Sequence, residues 1–209
     1  MVTPASLEFA ERFVPEDEIL LSARQRANEV GAYPVMPGCG AALCFLATVL
    51  DARAVVEIGT GCGVSGLWLL RGMRPDGTLT SVDVEPELQR MARQTFAQAG
   101  FAGSRVRLIG GRALDVLPRL ADGGYDMVFC DAARSEYLAY LGESLRLLRR
   151  GGGVAFNGPF YHDQDLEPIR RDPDTLVMRE LTKHIRNEER LRPLLLPLGE
   201  GLLAAVKVA

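Results

Sequence analysis

Apolar residues at helical spacing alternate with short apolar runs along most of this chain. Helical spacing repeats an apolar face every three or four residues, whereas a run of four to eight apolar residues is typical of a buried strand. The alternation predicts an α/β fold in which helices pack against a largely parallel sheet. The runs predict strands over residues 54–58, 78–82, 106–109, 125–130 and 153–156.

The segment from Pro86 to Gly100 is the clearest predicted helix. Proline suits a first helical turn, the apolar residues follow the i, i+3, i+4, i+7 pattern, and glycine can end the helix in the left-handed conformation. Other helices are predicted from Pro15, from Gly38 to Leu50, after Gly63, around Leu117, from Ser135 and from Asp172.

The ends of two predicted helices follow from their apolar faces and charges. The helix that begins at Pro15 should bury Val30 on its inner face. The helix from Ser135 should run to Arg149 and Arg150, because cationic side chains are stabilised at the negative end of a helix.

Two strands are predicted at the end of the chain, over 191–196 and 202–208, joined by a short turn that contains glycine. A terminal hairpin departs from a plain dinucleotide-binding fold, which would continue with parallel strands and crossover helices. The polar, proline-containing segment 157–174 interrupts the alternation and is expected to form a substrate-side loop. A chain of 209 residues is expected to form a single domain, 1–209.

Composition excludes several classes of partner. A net charge of −3 provides no basic surface for nucleic acid, and the longest nearly apolar run, 41–50, is far shorter than the ~20 residues of a membrane helix. Binding to nucleic acid or to a membrane is therefore not expected. The four cysteines form no Cys-x-x-Cys pair and the chain has two histidines, so a reduced, cytoplasmic protein without a zinc site is expected.

The stretch from Val55 to Gly63 is the most informative local motif. An apolar strand carries Glu57 near its end, and glycines follow at 59, 61 and 63. Glycine tolerates positive φ and leaves room for a ligand, while the following helix directs free N–H groups into the same cleft. The motif therefore predicts a nucleotide-like cofactor site.

Two cofactors compete for this site. The GxGxxG sequence over 61–66 matches the dinucleotide fingerprint, but a pyrophosphate at the helix N-terminus would lie beside the acidic Glu57. An acid there suits the amino group and the sulfonium of S-adenosylmethionine. Asp83 can hold the ribose hydroxyls of either cofactor or cap the next helix, and Ser65 can bind ligand or merely cap its own helix.

Five stretches resemble the class I, S-adenosylmethionine-dependent O-methyltransferases: VVEIGTGCGVSGLWLL, SVDVEPE, GGRALDVLPRL, YDMVFCDAA and LLLPLGEGLLAAV. The resemblance is to the branch of catechol and caffeoyl-CoA methyltransferases, including its actinobacterial members, and spans about residues 16–208. It implies a Rossmann-like fold with a seven-stranded, mostly parallel sheet, an antiparallel last strand and extra N-terminal helices. Those helices, within 1–50, would cover the site and take part in a homodimer that acts on a small molecule.

The resemblance also implies roles for individual residues. The loop after the first strand would contact the methionine end of S-adenosylmethionine. Asp83 and Val84 would hold the ribose and the adenine edge, and Ala113 would lie under the adenine. The full set of implied cofactor-binding residues is Val35, Glu57, Gly59, Thr60, Gly61, Ser65, Asp83, Val84, Ala113 and Asp131.

The sequence departs from the family pattern at the metal site. There the family uses an Asp after strand four and an Asp-Asn pair after strand five to bind a cation that lowers the pKa of the reacting hydroxyl. Asp131 and Asn157 match the first and last ligands, but Phe156 occupies the middle position. One carboxylate and one amide make a weak site for magnesium, which usually takes carboxylates and water. No tightly bound magnesium is therefore expected.

The catalytic base is the second departure. Arg134 aligns with the lysine that often serves as the base, and a guanidinium keeps its proton, so it can only stabilise negative charge. His162, in the 157–174 loop, has the intrinsic acidity of a base near neutral pH. The candidate catalytic residues are Asp131, Arg134 and His162, and a solvent-exposed role for Arg134 or His162 stays open.

Three functions follow from these observations. The preferred one is methyl transfer from S-adenosylmethionine to a hydroxyl group of a small molecule, with an aromatic acceptor as one candidate, and without tightly bound magnesium. The alternative is a non-catalytic dimeric protein of the same fold that binds S-adenosylmethionine. A nicotinamide-dependent oxidoreductase rests on the GxGxxG sequence alone.

Overall fold

The computed structural model describes residues 3–101, 103–160 and 173–209, and seven strands in these ranges form one sheet. The order across the sheet is β3-β2-β1-β4-β5-β7-β6, with β1 to β5 parallel and β7 antiparallel between β5 and β6. The strands are β1 (Ala54–Ile58), β2 (Thr78–Asp83), β3 (Val106–Gly110), β4 (Tyr125–Cys130), β5 (Leu148–Asn157), β6 (Leu191–Leu196) and β7 (Leu202–Lys207).

This topology confirms the predicted Rossmann-like α/β fold with seven strands and an antiparallel last strand. The predicted terminal hairpin is present, with Leu191 paired to Lys207 and Leu196 paired to Leu202. The direction of strand order reverses at β1, whose neighbours are β2 and β4. In open sheets of this kind, ligands bind outside the carboxyl ends of the strands at such a reversal.

Eight α-helices in the described ranges surround the sheet, and none of them is long and apolar enough to cross a membrane. A 3-10 turn over 134–136 precedes the seventh helix. The helices are α1 (Pro4–Glu11), α2 (Glu18–Glu29), α3 (Pro37–Val49), α4 (Val64–Gly72), α5 (Pro86–Gln98), α6 (Ala113–Val116), α7 (Tyr137–Leu147) and α8 (Pro173–Asn187).

The N-terminal helices differ from the prediction in two respects. The α2 helix begins at Glu18 rather than at Pro15, because Asp17 accepts the N–H of Leu20 at 3.0 Å and caps the first turn. Val30 follows the end of α2 and is 46% exposed, so the prediction that it is buried is wrong. The α1 helix was not predicted, because none of its residues is buried and it has no apolar face against the core.

The predicted end of α7 is also wrong. The helix ends at Leu147, and Arg149 and Arg150 belong to β5. Arg149 Nε donates to Asp126 Oδ1 at 2.5 Å, and the same carboxylate accepts two backbone N–H groups at the start of β1. The charge of Arg149 is therefore satisfied by an ion pair at the sheet rather than by the end of a helix.

Two apolar clusters hold the helices on the two faces of the sheet. Trp68 of α4 and Phe96 of α5 belong to the cluster that contains Val55 of β1. Tyr137 of α7 belongs to the cluster on the opposite face, which contains Val56. Successive strand residues point to opposite faces, so each β1 residue supports one of the two layers. Both layers leave the carboxyl ends of the central strands open to the loops that follow them.

Candidate active site

A cavity of about 520 Å³ lies at the carboxyl ends of β1, β2 and β4, at the reversal of strand order. Its walls come from the loop after β1, the end of β2, the start of α6 and the segment after β4. Tyr33 and Pro34, which precede α3, complete the wall on the N-terminal side. The volume is in the range of cavities that bind small molecules.

Three glycines shape the loop between β1 and α4. Gly59, Gly61 and Gly63 have φ of +98°, +49° and +86°, a region that other residues rarely adopt. A Cβ on Gly59 would overlap the carbonyl oxygen of Asp131, so the loop touches the backbone after β4. A Cβ on Gly61 would meet nothing within 4 Å. The loop is therefore tightly packed on its inner side and open on the side of the cavity.

Asp83 ends β2 and faces the cavity. Its Oδ2 accepts the N–H of Gly61 and its Oδ1 accepts the N–H of Glu85, each at 2.9 Å. Glu85 is the N-cap residue of α5, so Asp83 does not cap that helix. An ionised carboxylate has about four acceptor positions, which leaves Asp83 able to accept further hydrogen bonds from a ligand.

Glu57 lies beneath the glycine loop and is fully buried. Ser65 Oγ donates to its Oε1 and Ser81 Oγ donates to its Oε2, each at 2.6 Å. Thr60 Oγ1 lies 2.7 Å from Ser81 Oγ and extends this network into the loop. Burial raises the pKa of Glu57 to about 8, against the opposing effect of the two hydroxyl donors.

Most of the predicted cofactor-binding residues meet at the cavity, although their roles in binding stay predictions. Glu57 does not line the cavity, because its carboxylate is directed to the two serines below the loop. Val35 does not line it either; it is 2% exposed, and its carbonyl accepts a hydrogen bond from Arg24. The members of the set that do line it are Gly59, Thr60, Gly61, Ser65, Asp83, Val84, Ala113 and Asp131.

Glu136 and Tyr140, on one wall of the cavity, were missed in the sequence. Tyr140 Oη donates to Glu136 Oε2 at 2.6 Å, and Arg112 Nη2 donates to Glu136 Oε1 at 2.8 Å. All three residues line the cavity. Arg112 precedes β4 in the sequence and Glu136 follows it, 24 positions later, so no local pattern predicts their contact.

A second group of polar residues lies beside Asp131, and we call it the acceptor end. Asn157 Nδ2 donates to Asp131 Oδ1 at 3.0 Å, and the Cys39 thiol donates to Asn157 Oδ1 at 3.6 Å. Burial raises the pKa of Asp131 to about 6, although the bond from Asn157 and the charge of Arg134 oppose this. The acceptor end is defined by Glu11, Cys39, Asp131, Arg134, Asn157 and Glu200.

Arg134 lies close to Asp131 and extends towards the turn between β6 and β7. Its Nη2 is 3.4 Å from Glu200 Oε2, and its guanidinium covers Gly158, where a Cβ would lie 2.9 Å from Nη2. The structure therefore brings two of the three candidate catalytic residues into one region. His162, the third, lies outside the described residues.

The residues at the positions of the family's three metal ligands do not fit magnesium. Phe156 is fully buried, with its ring centroid 5.4 Å from that of Tyr137, on the face of the sheet away from Asn157. Asn157 presents its amide nitrogen to Asp131, while its oxygen accepts from the Cys39 thiol. Within the part of the chain that the structure describes, no three His, Cys, Asp or Glu residues form a group suited to a metal ion.

Comparison with known proteins identifies the family. The O-methyltransferase family profile matches residues 16–208. The chain belongs to the O-methyltransferase family. A Mycobacterium tuberculosis protein named as a probable O-methyltransferase is 50% identical over 198 residues, which cover 95% of this chain and 88% of that protein.

Solved structures support the same family. The O-methyltransferase TomG of Streptomyces achromogenes, solved in complex with S-adenosylmethionine, is 29% identical with a TM-score of 0.87, covering 100% of this chain and 97% of TomG. A Corynebacterium glutamicum protein is 32% identical with a TM-score of 0.89, covering 96% of this chain and 94% of that one. The predicted family and the predicted class of enzyme, an O-methyltransferase, are confirmed.

Substitution of Gly59 should destabilise this O-methyltransferase far more than substitution of Gly61. A methyl side chain at the first position combines positive φ with a clash against rigid backbone, so Gly59→Ala should lower the free energy of unfolding by about 3 kcal/mol or more. Gly61→Ala carries the backbone cost alone, about 1–2 kcal/mol. Urea unfolding followed by circular dichroism measures both, and equal losses would contradict the described contact.

The stability of the O-methyltransferase should depend on pH through Glu57. Its folded pKa of about 8 exceeds the ordinary 4.5, so its contribution is complete below pH 4.5 and is lost as pH rises through 8. The glutamine in Glu57→Gln stays neutral at every pH. As pH rises from 5 to 8, the wild type should therefore lose about 1 kcal/mol or more of its free energy of unfolding relative to this variant.

Urea unfolding at several pH values measures this difference. The matched control is Glu87→Gln, which changes an exposed carboxylate whose pKa is lowered by its hydrogen bond from Arg90. That variant should not gain on the wild type as pH rises. Parallel pH profiles for Glu57→Gln and the wild type would show that Glu57 is ionised in the folded protein throughout.

Proposed function

We propose that this enzyme transfers a methyl group from S-adenosylmethionine to a hydroxyl group of a small molecule, without tightly bound magnesium. The main support for this proposal is the cavity beside the glycine loop. The carboxylates of Asp83 and Asp131 line its walls, and the buried Glu57 lies beneath the loop. The carboxylates of Asp83 and Asp131 suit a ligand that combines a ribose with positive charge.

The cavity supplies a matching contact for each part of this cofactor. Asp83 retains acceptor capacity for the two ribose hydroxyls, and Val84 and Ala113 provide apolar surface for the adenine. The open space above Gly61 admits the chain of the ligand against bare backbone. TomG, which was solved with S-adenosylmethionine bound, supports this assignment by its similarity over the whole chain.

A dinucleotide fits the same cavity less well. Its pyrophosphate would occupy the N-terminal end of α4, which begins at Val64. There it would lie near the carboxylates of Asp83 and Asp131, which line the cavity. Repulsion from these groups opposes an anion and favours the amino and sulfonium groups of S-adenosylmethionine.

Bound S-adenosylmethionine would supply an electrophilic methyl group on a positively charged sulfur. The residues of the chain would hold the acceptor hydroxyl in line with that group and take up its proton. Asp131 Oδ2 is the described atom best suited to accept the proton, because Oδ1 already accepts from Asn157. Arg134 would stabilise the developing oxyanion, and His162 stays a second candidate for the base.

Methyl transfer should therefore proceed with a chelator present. We expect purified protein to methylate members of a phenol panel from S-adenosylmethionine in EDTA, with product detected by mass spectrometry. Strict dependence on added magnesium would contradict the metal-independent mechanism. The physical reason is the lack of a third hard oxygen ligand beside Asp131 and Asn157 among the described residues.

Calorimetry separates the cofactor from the alternatives. S-Adenosylhomocysteine should bind and NADH should not, and Asp83→Asn should weaken the former by about 10-fold or more, because a charged acceptor for the ribose is lost. Asp115→Asn on α6 is the matched control and should bind as the wild type does. Preferential binding of NADH contradicts the proposal. Tight S-adenosylhomocysteine binding without turnover on any acceptor indicates the non-catalytic alternative.

We also propose that two copies form a homodimer through the N-terminal helices. Phe9 and Phe13 at α1 are 70% and 69% exposed, and Phe45 of α3 is 66% exposed. Large exposed apolar side chains of this kind mark association surfaces when they are contiguous. Sedimentation velocity should give twice the chain mass of 22.8 kDa, and should give the single mass for the double variant Phe9→Ser, Phe13→Ser. A monomeric wild type contradicts the proposal.

A further inference from the structure

Glu136 lines the cavity but has no role in the proposed methyl transfer. Among the described residues that line the cavity, three carry a carboxylate: Asp83, Asp131 and Glu136. Asp83 ends β2 beside the glycine loop, and Asp131 belongs to the acceptor end. Glu136 lies in the 3-10 turn before α7, and its partner Arg112 directly precedes Ala113. Glu136 therefore stands at the part of the wall proposed to face adenine.

Two hydrogen bonds fix the Glu136 carboxylate before a ligand arrives. Tyr140 Oη donates to its Oε2 at 2.6 Å, and Arg112 Nη2 donates to its Oε1 at 2.8 Å. Tyr140 belongs to α7 and is 2% exposed, whereas Arg112 is the N-cap residue of α6. Tyr140 and Ala113 share one apolar cluster, so both helices pack on the same face of the sheet. The carboxylate is held between two elements that the core keeps in place.

Glu136 keeps acceptor capacity after these two bonds. The hydrogen bonds from Tyr140 and Arg112 lower the pKa of Glu136, so it is ionised at neutral pH. An ionised carboxylate has about four acceptor positions, and each oxygen of Glu136 uses one for a protein donor. The side chain is 22% exposed and lines the cavity, so a ligand can reach the remaining positions. Glu136 is thus a fixed acceptor that faces the ligand.

Adenine carries a donor that such a carboxylate accepts. Its exocyclic amino group has two N–H bonds and lies at the edge of the ring away from the ribose. In the proposed binding mode Asp83 holds the ribose, and Val84 and Ala113 provide surface for the ring. The residue beside Ala113 is Arg112, whose guanidinium holds Glu136. The amino group therefore meets an acceptor there, and without one its burial would be unfavourable.

We infer that Glu136 determines the specificity of this O-methyltransferase for the base of its cofactor, by accepting a hydrogen bond from the exocyclic amino group of adenine. Tyr140 is a positioning residue that, with Arg112, holds the carboxylate for this contact. The assignment rests on the proposed function, since it concerns the base of S-adenosylmethionine. A base with an oxygen in place of the amino group would set one acceptor against another and bind less well.

S-Inosylhomocysteine tests this contact, because it carries a carbonyl oxygen where S-adenosylhomocysteine carries the amino group. Calorimetry at one pH should give the inosyl compound a Kd about 10-fold or more above that of the adenosyl compound. The reason is that the Glu136 carboxylate loses its donor and faces an oxygen instead. Equal Kd values, or tighter binding of the inosyl compound, overturn the inference.

Glu136→Gln assigns the preference to this side chain. A glutamine amide can donate as well as accept, so it also suits the carbonyl oxygen, and the ratio of the two Kd values should fall several-fold. Glu143→Gln is the matched control, because Glu143 is an α7 carboxylate of similar exposure that pairs with Arg146 and does not line the cavity. It should leave the ratio unchanged. An unchanged ratio in Glu136→Gln, or an equal fall in both variants, overturns the assignment.

Tyr140→Phe tests the positioning role. It removes the donor to Glu136 Oε2 and keeps the ring within its apolar cluster. A carboxylate held by Arg112 alone is less fixed, so the ratio of Kd values should fall, but by less than in Glu136→Gln. Both values come from one preparation, so a loss of folded protein does not imitate this result. A ratio equal to that of the wild type contradicts the positioning role.

Three outcomes separate the base contact from the proposed reaction. Equal binding of the two compounds, together with methyl transfer from S-adenosylmethionine, upholds the reaction and overturns the base contact. Preference for the adenosyl compound without turnover on any acceptor upholds the base contact and contradicts the reaction. Failure of both compounds to bind contradicts the cofactor assignment and the base contact together.

Discussion

The hydrogen bonds around the buried Glu57 carboxylate hold together the three elements that build the cavity. Glu57 lies on β1, Ser81 lies on β2 and Ser65 lies on α4, so one side chain joins two central strands to the helix that follows the glycine loop. An unpaired carboxyl group at this depth would be strongly destabilising, and the two hydroxyl donors together with a raised pKa make its burial tolerable. The loop above it is then positioned before any ligand arrives.

The close approach of Gly59 to Asp131 connects the glycine loop to the end of β4. Because Gly59 has no side chain, its backbone can lie against the carbonyl of Asp131, at the end of β4. The cofactor cavity and the acceptor end therefore meet at one residue, whose backbone supports the loop and whose side chain bonds to Asn157.

The two regions of the site differ in how far apart their residues are in the sequence. The cavity wall comes from several short stretches, among them the ends of β1 and β2 and the segment after β4. The acceptor end joins residues that are 118 and 188 positions apart in the Cys39–Asn157 and Glu11–Gly199 contacts. The first region depends on local turns, above all the glycine loop after β1. The second depends on how the N-terminal helices and the terminal hairpin pack.

Apart from the start of β5, the sequence alone determined the strands, the terminal hairpin, the positive-φ loop and the place of Asp83, because apolar periodicity and glycine spacing report local backbone geometry. Periodicity states which face of an element is buried but not what that face contacts. For this reason the tertiary structure decided three features that the sequence did not predict. These are the direction of the Glu57 carboxylate, the ion pair of Arg149 at the start of β5, and the cavity wall formed by Glu136 and Tyr140. Each of these contacts joins elements whose relative position depends on packing across the whole sheet.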